Sequence, residues 1–417
     1  MEEQLHLLAA FSHEEEAEKT LNVCFVSPEY FPISGGTGAY VYYLSRQLQK
    51  LGHNIHIITR HEMNLTETVD GVSITYIKSE GNPLTRYWGF ARSSFKKLEE
   101  LNKKFEFDII HANLPLVPNF ALPEDSAKAV ISTVHSTWKG EAEAIRREGL
   151  RKLNTNEKFM LEFNSLLRSS EKKLMKRSNA LIAVSTYTKE ELTEFYDIAE
   201  EKIHVIYNGV DVEKFKPNRD RAGLRRELGL EEKQKIILFV GRLYRRKGLD
   251  TLLQSIPKVI QNFKDVKFVI SGEGFKQNKE KLLKLTKKLN IESSVLFVGY
   301  FPDEKLPGLY AASDVFVLPA LYENFPFAIL EAQATGLPVI STRVGGIPEL
   351  VTSNKNGLLV EPANSEQLTE TMMSLLQNPV FAEELGRRGR RLVEEKFAWP
   401  LVTGEVVDLY SKILKTV

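Results

Sequence analysis

The sequence predicts an α/β protein of two doubly wound domains, each a parallel sheet covered by helices, facing each other across a cleft. Three observations predict it. Two segments each begin with an apolar strand, a glycine loop and a helix: "LNVCFVSPEYFPISGGTGAYVYYLSRQLQKLGHNIHIITR" and "QKIILFVGRLYRRKGLDTLLQSIPKVI". After each, short Val/Ile-rich strands alternate with amphipathic helices, the pattern of a parallel sheet covered on both faces. The chain's 417 residues exceed what one ordinary core accommodates.

In chain order, "MEEQLHLLAAFSHEEEAEKT" lacks a basic start and a long apolar core. It reads as an acidic N-terminal extension over residues 1–20 and not as a secretory signal. The first domain, residues 21–213, then carries the strands "GVSITYI", "FDIIHAN", "AVISTVH", "ALIAVS" and "IHVIYNG". The polar, Pro- and Gly-containing stretch "NGVDVEKFKPNRDRAG" marks the break. The second domain, residues 214–397, carries "VKFVISGEG", "SVLFVGY", "DVFVLPA", "PVISTRV" and "NGLLVEP". In "YENFPFAILEAQATGLPVI", Asn324 is placed to cap a helix and Pro326 suits its first turn. Phe327 to Ala334 contains no breaker, and Gly336 can end the helix in the left-handed conformation before Pro338. That helix directs its positive end and free N–H groups toward Glu323, while Glu331 lies within it.

Composition excludes several classes. Hydrophobic content of 42% and charged content of 27% are those of a globular protein. A net charge of +1 argues against a dedicated nucleic-acid partner. The single cysteine, Cys24, permits no internal disulfide and no Cys-based zinc site, and it fits a reducing cytoplasm. No apolar run approaches the ~20 residues that span a bilayer. The lysine-rich "FKKLEELNKKF" and "LLRSSEKKLMKRSN" read as solvated helix faces. Weak contact with the inner face of a membrane is the lesser reading.

In open parallel sheets ligands bind at the carboxyl ends of the strands, so function is sought in the strand-end loops. "SGGTGAY" brings Gly35, Gly36 and Gly38 to a helix start, where the backbone can approach an anion. The glycine order and Arg60 at the end of "IHIITR" depart from the dinucleotide fingerprint, which opposes a nicotinamide enzyme. "GRLYRRKG" places Gly241, Arg242 and Lys247 after the first strand of the second domain. Arg242 and Lys247 suit phosphate, whereas Arg245 and Arg246 read as a solvated basic loop. His135 in "TVHSTW" follows a strand and is read as functional; His111 in "IIHAN" is read as structural. "ISGEG" with Gly272, "FVGYF" with Tyr300 and Phe301, and "VGGIPELV" with Glu349 complete the rim.

Together, "GGTGAYVYYLSRQLQKLGH", "IYNGVDVEKF", "GRLYRRKGLDTLL", "LYENFPFAILEAQATGLPVISTRVGGIPELV" and "NGLLVEP" resemble the retaining glycosyltransferases of family 4. The likeness runs from about Leu21 to the C-terminus, with the motifs in order. It implies a GT-B architecture of two Rossmann-like domains, with residues 398–417 crossing back to the first. Glu323 and Glu331 match the family's E-x7-E signature, which implies that Glu323 meets the donor sugar and Glu331 the ribose. The same resemblance implies a diphosphate pair in Arg242 and Lys247 and a donor-sugar histidine in His135. It places the loop of Gly35, Gly36 and Gly38 across the cleft and the base beside Tyr300 and Phe301. Backbone N–H groups near Asn324, at Phe325, Phe327 and Ala328, would line sugar and phosphate, and Glu349 would lie near the diphosphate. Asn324 and Pro326 stand in a run where many members carry glycine, and Ser136 where many carry Asp.

The expected reaction is transfer of a sugar from a nucleoside diphosphate to a saccharide, lipid or small-molecule hydroxyl, by front-face attack and with no metal or cofactor. A sugar-nucleotide epimerase of the same architecture and a non-catalytic sugar-nucleotide-binding protein are the rivals. Neither the base, the sugar nor the acceptor can be read from these residues.

Overall fold

The computed structural model describes residues 19–33, 35–81, 83–124, 127–147, 153, 155–217 and 220–417. The expected extension over residues 1–20 lies outside them apart from its last two residues. The first sheet has eight strands: β1 (Asn22–Val26), β2 (Asn54–His61), β3 (Leu65–Val69), β4 (Val72–Lys78), β5 (Ile109–Leu114), β6 (Ala129–Val134), β7 (Ala180–Ala183) and β8 (Ile203–Val205). Their spatial order is β3-β4-β2-β1-β5-β6-β7-β8. Val23 to Val26 of β1 are fully buried, as a strand covered on both faces requires.

One strand departs from the expected alternation. β3 runs antiparallel to β4, with Val69 opposite Val72. Asp70 and Gly71 form the two-residue turn between them, both at positive φ (50° and 77°). Asp-Gly between two strand-like runs is a strong hairpin signal, but the polar "LTETV" lacks the apolar content by which the other strands are recognised. Its residues are exposed or half-buried because it forms the sheet's edge.

The second sheet has six parallel strands: β9 (Lys235–Val240), β10 (Val266–Ser271), β11 (Val295–Gly299), β12 (Val315–Leu318), β13 (Val339–Thr342) and β14 (Leu358–Val360). Their order is β11-β10-β9-β12-β13-β14. In each sheet the order reverses at the first strand of the unit, β1 beside β5 and β9 beside β12. The loops after β1 and β9 therefore lie at the two topological switch points, where a doubly wound fold opens its ligand crevice.

The helices around the first sheet are α1 (Gly36–Lys50), α2 (Pro83–Phe105), α3 (Trp138–Arg147), α4 (Thr155–Glu162), α5 (Asn164–Arg177) and α6 (Thr186–Tyr196). Those associated with the second are α7 (Arg221–Glu227), α8 (Leu249–Asn262), α9 (Lys276–Lys288), α10 (Leu306–Ala311), α11 (Phe327–Ala334), α12 (Ile347–Leu350), α13 (Ser365–Gln377) and α14 (Pro379–Lys396). Among the described residues no helix is long and apolar enough to cross a membrane.

The last helix, α15 (Trp399–Leu414), packs against the first sheet's unit. Its Trp399, Val402, Val406 and Tyr410 share a core with Phe25, Tyr40, Val41 and Leu44. The chain thus passes between the units twice, and the two crossings lie side by side. Val210 N–H donates to the Phe397 carbonyl at 2.7 Å, and Trp399 N–H donates to the Val210 carbonyl at 3.1 Å. His111, fully buried, stacks on Phe25 with ring centroids 4.8 Å apart. Its nitrogens lie 2.5 Å from the Tyr410 hydroxyl and 2.6 Å from Thr133 Oγ1. Burial lowers its pKa to about 3, so the ring is neutral and structural, as expected.

Two substitutions test this docking. Trp399→Ala is expected to destabilise the first unit by about 3–5 kcal/mol through the cavity it leaves. Tyr410→Phe is expected to cost about 1–3 kcal/mol by leaving a His111 nitrogen unpaired. Denaturant unfolding followed by intrinsic fluorescence measures both. An unchanged midpoint in Trp399→Ala would show that α15 does not hold the unit together.

Candidate active site

The loop after β9 turns at Gly241, whose N–H donates to the Ser271 carbonyl at 3.0 Å. Gly272, at φ 138°, lies so close that an added Cβ would stand 1.9 Å from the Gly241 carbonyl oxygen. From this rim Arg242 reaches across the cleft, and its Nη2 donates to Glu29 Oε1 at 2.7 Å. Glu29 lies in the loop after β1. Burial opposes the charge on Arg242, but the Glu29 carboxylate outweighs it and raises the guanidinium above its usual range.

A single 3₁₀ turn, Arg245–Lys247, then places Lys247 against Glu323 in a direct ion pair. Burial lowers the Lys247 amine below its usual value against the pull of Glu323. Arg246 corrects the expectation of a solvated loop residue. It is half-buried, and its Nε lies 3.5 Å from Glu141 Oε2 on α3 of the other domain. Arg245 is exposed, as expected.

Two helix N-termini meet these cations. α1 begins after Gly35, with no side-chain cap. A Cβ on Gly35 would stand 2.2 Å from Arg242 Nη2, and one on Gly36 would stand 3.4 Å from the Phe327 ring. Gly38 lies two residues farther into α1, against the Tyr30 carbonyl. α11 begins at Phe327 after Pro326, also without a side-chain cap. Asn324 does not cap it: its Nδ2 donates instead to Thr188 Oγ1 at 2.8 Å and Glu191 Oε2 at 3.2 Å. The side-chain amide is committed to the other domain, so the α11 N-terminus keeps its N–H groups at Phe327 and Ala328 without a side-chain acceptor.

Glu331 projects from α11 and accepts from the Tyr310 hydroxyl at 2.6 Å. Burial raises its pKa to about 7. Tyr300 is exposed, and its hydroxyl donates to the Ile33 carbonyl at 3.3 Å across the cleft. Phe301 packs against the second core. His135 sits edge-on to Tyr40 with ring centroids 4.8 Å apart, and its Nε2 is 3.1 Å from Asn113 Oδ1. Burial lowers its pKa to about 3, so the imidazole is neutral.

Two further residues expected at the donor site have protein partners of their own. The Phe325 side chain is buried against Tyr207 with ring centroids 4.8 Å apart, and its carbonyl accepts from Asn208 Nδ2 at 2.8 Å. Glu349 accepts from the N–H groups of Thr186 and Tyr187 at 2.8 and 3.1 Å and from the Tyr207 hydroxyl at 3.2 Å. Its oxygens therefore serve the N-terminus of α6. The adjoining Gly345 and Gly346 support Glu323: Gly346 N–H donates to the Glu323 carbonyl at 3.1 Å.

Sequence reasoning missed Glu29, Glu141, Glu191 and the commitment of Arg246. Glu29 was findable as an acid directly after the first strand. Glu191 shares a helix face with Thr188, Leu192 and Tyr196, which marks an acid on an apolar stripe. Among the described residues no group of three or more His, Cys, Asp and Glu side chains is placed to hold a metal.

Two doubly wound domains with cations and helix N-termini gathered at their facing switch points form a GT-B architecture. The family profile "Glycosyl transferases group 1" matches residues 220–392, and "Glycosyltransferase Family 4" matches residues 34–214. An uncharacterized glycosyltransferase of Methanocaldococcus jannaschii is 28% identical over 94% of this chain and 98% of its own length. Sucrose-phosphate synthase from Thermosynechococcus elongatus superposes with a TM-score of 0.81 at 23% identity, over 95% of this chain and 100% of that one. Anabaena HepE, solved in complex with UDP-glucose, superposes with a TM-score of 0.73 at 18% identity, over 94% of this chain and 100% of that one. The chain belongs to the group 1, family 4 glycosyltransferases, and it is a transferase.

Two predictions follow from the site's construction. Gly345 has φ 52°, and an added Cβ would stand 1.8 Å from the Glu323 carbonyl oxygen. Gly345→Ala is expected to displace Glu323 and lower the transfer rate about 10²-fold; wild-type rates would show that Glu323 is not held from this side. The second concerns pH. Burial raises Glu171 to about 8, Glu191 to about 7 and Glu331 to about 7, all above the usual 4.5. The folded state therefore binds more protons than the unfolded state between those values. The stability these groups contribute is fully present below about pH 4.5 and is lost as pH rises through about 7–8. Melting measured from pH 5 to 8 is expected to fall less steeply in Glu171→Gln than in wild type. Equal slopes would mean that Glu171 titrates normally.

Proposed function

We propose that this glycosyltransferase moves a sugar from a nucleoside-diphosphate donor to an acceptor hydroxyl with retention of anomeric configuration, and that protein cations perform the work a metal does elsewhere. The observation that carries this reading is the convergence of Arg242, Lys247 and the uncapped N-termini of α1 and α11 on one region of the cleft. Two cations and two helix ends favour a dianionic leaving group, and the field is set before the reaction begins. The donor class draws further support from HepE, whose structure holds UDP-glucose.

In this reading the bond from the anomeric carbon to the diphosphate oxygen breaks as positive charge grows on the sugar ring. The acceptor oxygen attacks from the same face, and its proton passes to the departing phosphate oxygen. Arg242, Lys247 and the helix ends stabilise the charge developing on the diphosphate. Glu323 meets the sugar hydroxyls, Glu331 the ribose, and neutral His135 the sugar from the acceptor side. Removing one preorganised charge-stabilising group lowers the rate on the order of 10²–10³-fold. The acceptor is shaped by the first domain, including the segment after His135, of which residues 148–152 lie outside the described structure.

The test is thermal stabilisation of the protein by UDP, GDP and ADP, beside an Arg242→Ala/Lys247→Ala variant. A ligand at 100 times its Kd adds about 2.7 kcal/mol. One nucleotide is expected to stabilise wild type and not the variant, and transfer product is expected only when acceptor is supplied. Stabilisation by none of the three, or product without acceptor, removes the reading.

A further inference from the structure

Glu191 is 2% exposed, on the face of α6 that meets the second domain. Its carboxylate accepts from neutral groups: the Tyr322 hydroxyl at 3.2 Å to each oxygen, Asn324 Nδ2 at 3.2 Å and Thr137 Oγ1 at 3.4 Å. Two of these donors belong to the residues on either side of Glu323. Between them, Glu323 reaches the opposite way, to Lys247. The helix α3 closes the cluster with bare backbone. A Cβ at Gly140 would stand 2.2 Å from the Tyr322 hydroxyl and 2.4 Å from Glu191 Oε1. That close approach leaves no room for water between α3 and the carboxylate.

A buried carboxylate whose donors among the described residues are all neutral is a costly arrangement for stability alone, because desolvation exceeds what such hydrogen bonds return. Phe325 and the core beneath it already anchor the segment after Asn324. What Glu191 adds is a grip on both neighbours of one site residue, exerted from the other domain.

We propose that Glu191 is a positioning residue: by holding Tyr322 and Asn324 it fixes the backbone that aims Glu323 at the donor sugar, and makes that aim depend on the seating of the two domains. The role rests on the reading of Glu323 as a sugar contact. It also predicts a pH dependence. Burial raises Glu191 to about 7. Glu141, Gly140 and the adjoining Thr137 at α3, Glu171 on α5, and Tyr322 and Asn324 from the second domain surround it, with Arg246 beside Glu141. When deprotonated, Glu191 accepts from every donor. Once protonated it carries a hydrogen that the Asn324 amide nitrogen cannot accept.

The experiment is calorimetric titration with UDP, GDP and ADP and with their glucose, galactose, mannose and N-acetylglucosamine conjugates, using the tightest pair. Wild type, Glu191→Gln, Glu191→Ala and Tyr322→Phe are compared at pH 6 and 8. The variants are expected to keep the affinity for the free diphosphate within about twofold, because Arg242 and Lys247 are untouched. Their preference for the sugar conjugate is expected to fall about 5–10-fold, the effect of losing one or two hydrogen bonds. In wild type that preference falls from pH 8 to pH 6; in Glu191→Gln it is flat. Equal loss of both affinities marks general damage and overturns the proposal, as does an unchanged preference in folded Glu191→Gln and Tyr322→Phe. Absence of diphosphate binding in wild type overturns the donor reading itself, and the role with it. Diphosphate binding without any preference for a conjugate in wild type spares the diphosphate site but overturns the Glu323 contact on which Glu191 would act.

Discussion

Arg242 and Lys247 stand where burial opposes their charge, and a carboxylate holds each: Glu29 from across the cleft and Glu323 from the same rim. Much of the site follows from keeping two cations in that position. Desolvation makes an unpaired buried charge expensive, so carboxylates must stand close by. The glycines at 35, 241 and 272 allow main chain to come within contact of the cations and of one another. A doubly anionic ligand entering between them exchanges one set of favourable pairings for another. Such an exchange costs less than creating a cationic site anew.

The two domains are joined by two different kinds of contact. On one side lie the chain crossings, the Val210 bridge and the docking of α15, apolar or backbone in character apart from the buried Tyr410–His111 hydrogen bond. On the other, the first turn of α6 is enclosed by second-domain groups: Glu349 at its N–H groups, Asn324 at Thr188, and Gly346 against Ser185. Trp399 ties the seam to the site, since its ring contacts those of Tyr40, Tyr43 and Phe327, on the two helices whose N-termini face the cleft. A shift in the relative seating of the domains would therefore reach the candidate site through rigid elements.

Much of this was legible in advance, for definite reasons. Period and apolar content revealed the strands because parallel strands buried on both faces carry continuous Val/Ile runs. The helix Phe327–Ala334 ends as expected, because Gly336 takes the left-handed conformation just past it, but it begins after Pro326 and not with Pro326 in its first turn. Strand-end position was enough to single out Arg242 and Lys247. What local pattern did not show depended on long-range partners. Asn324 has every local property of a cap, yet its amide serves Glu191, 133 residues away. Glu349 sits in a glycine-rich loop at the rim, yet it caps a helix of the other domain. Arg246 reads as solvated until α3 brings Glu141 to it.

The sequence by itself determined the two-domain parallel architecture, the helices that begin at the strand-end loops and the charged residues at the strand ends, because each is encoded by short-range pattern and by the direction a parallel strand must run. The tertiary structure alone decided which carboxylate faces which cation, and which polar side chains tie one domain to the other. Those pairings join residues 76 to 213 positions apart, set by the order of strands within a sheet and by how the two sheets face each other, and no local propensity reports such a distance.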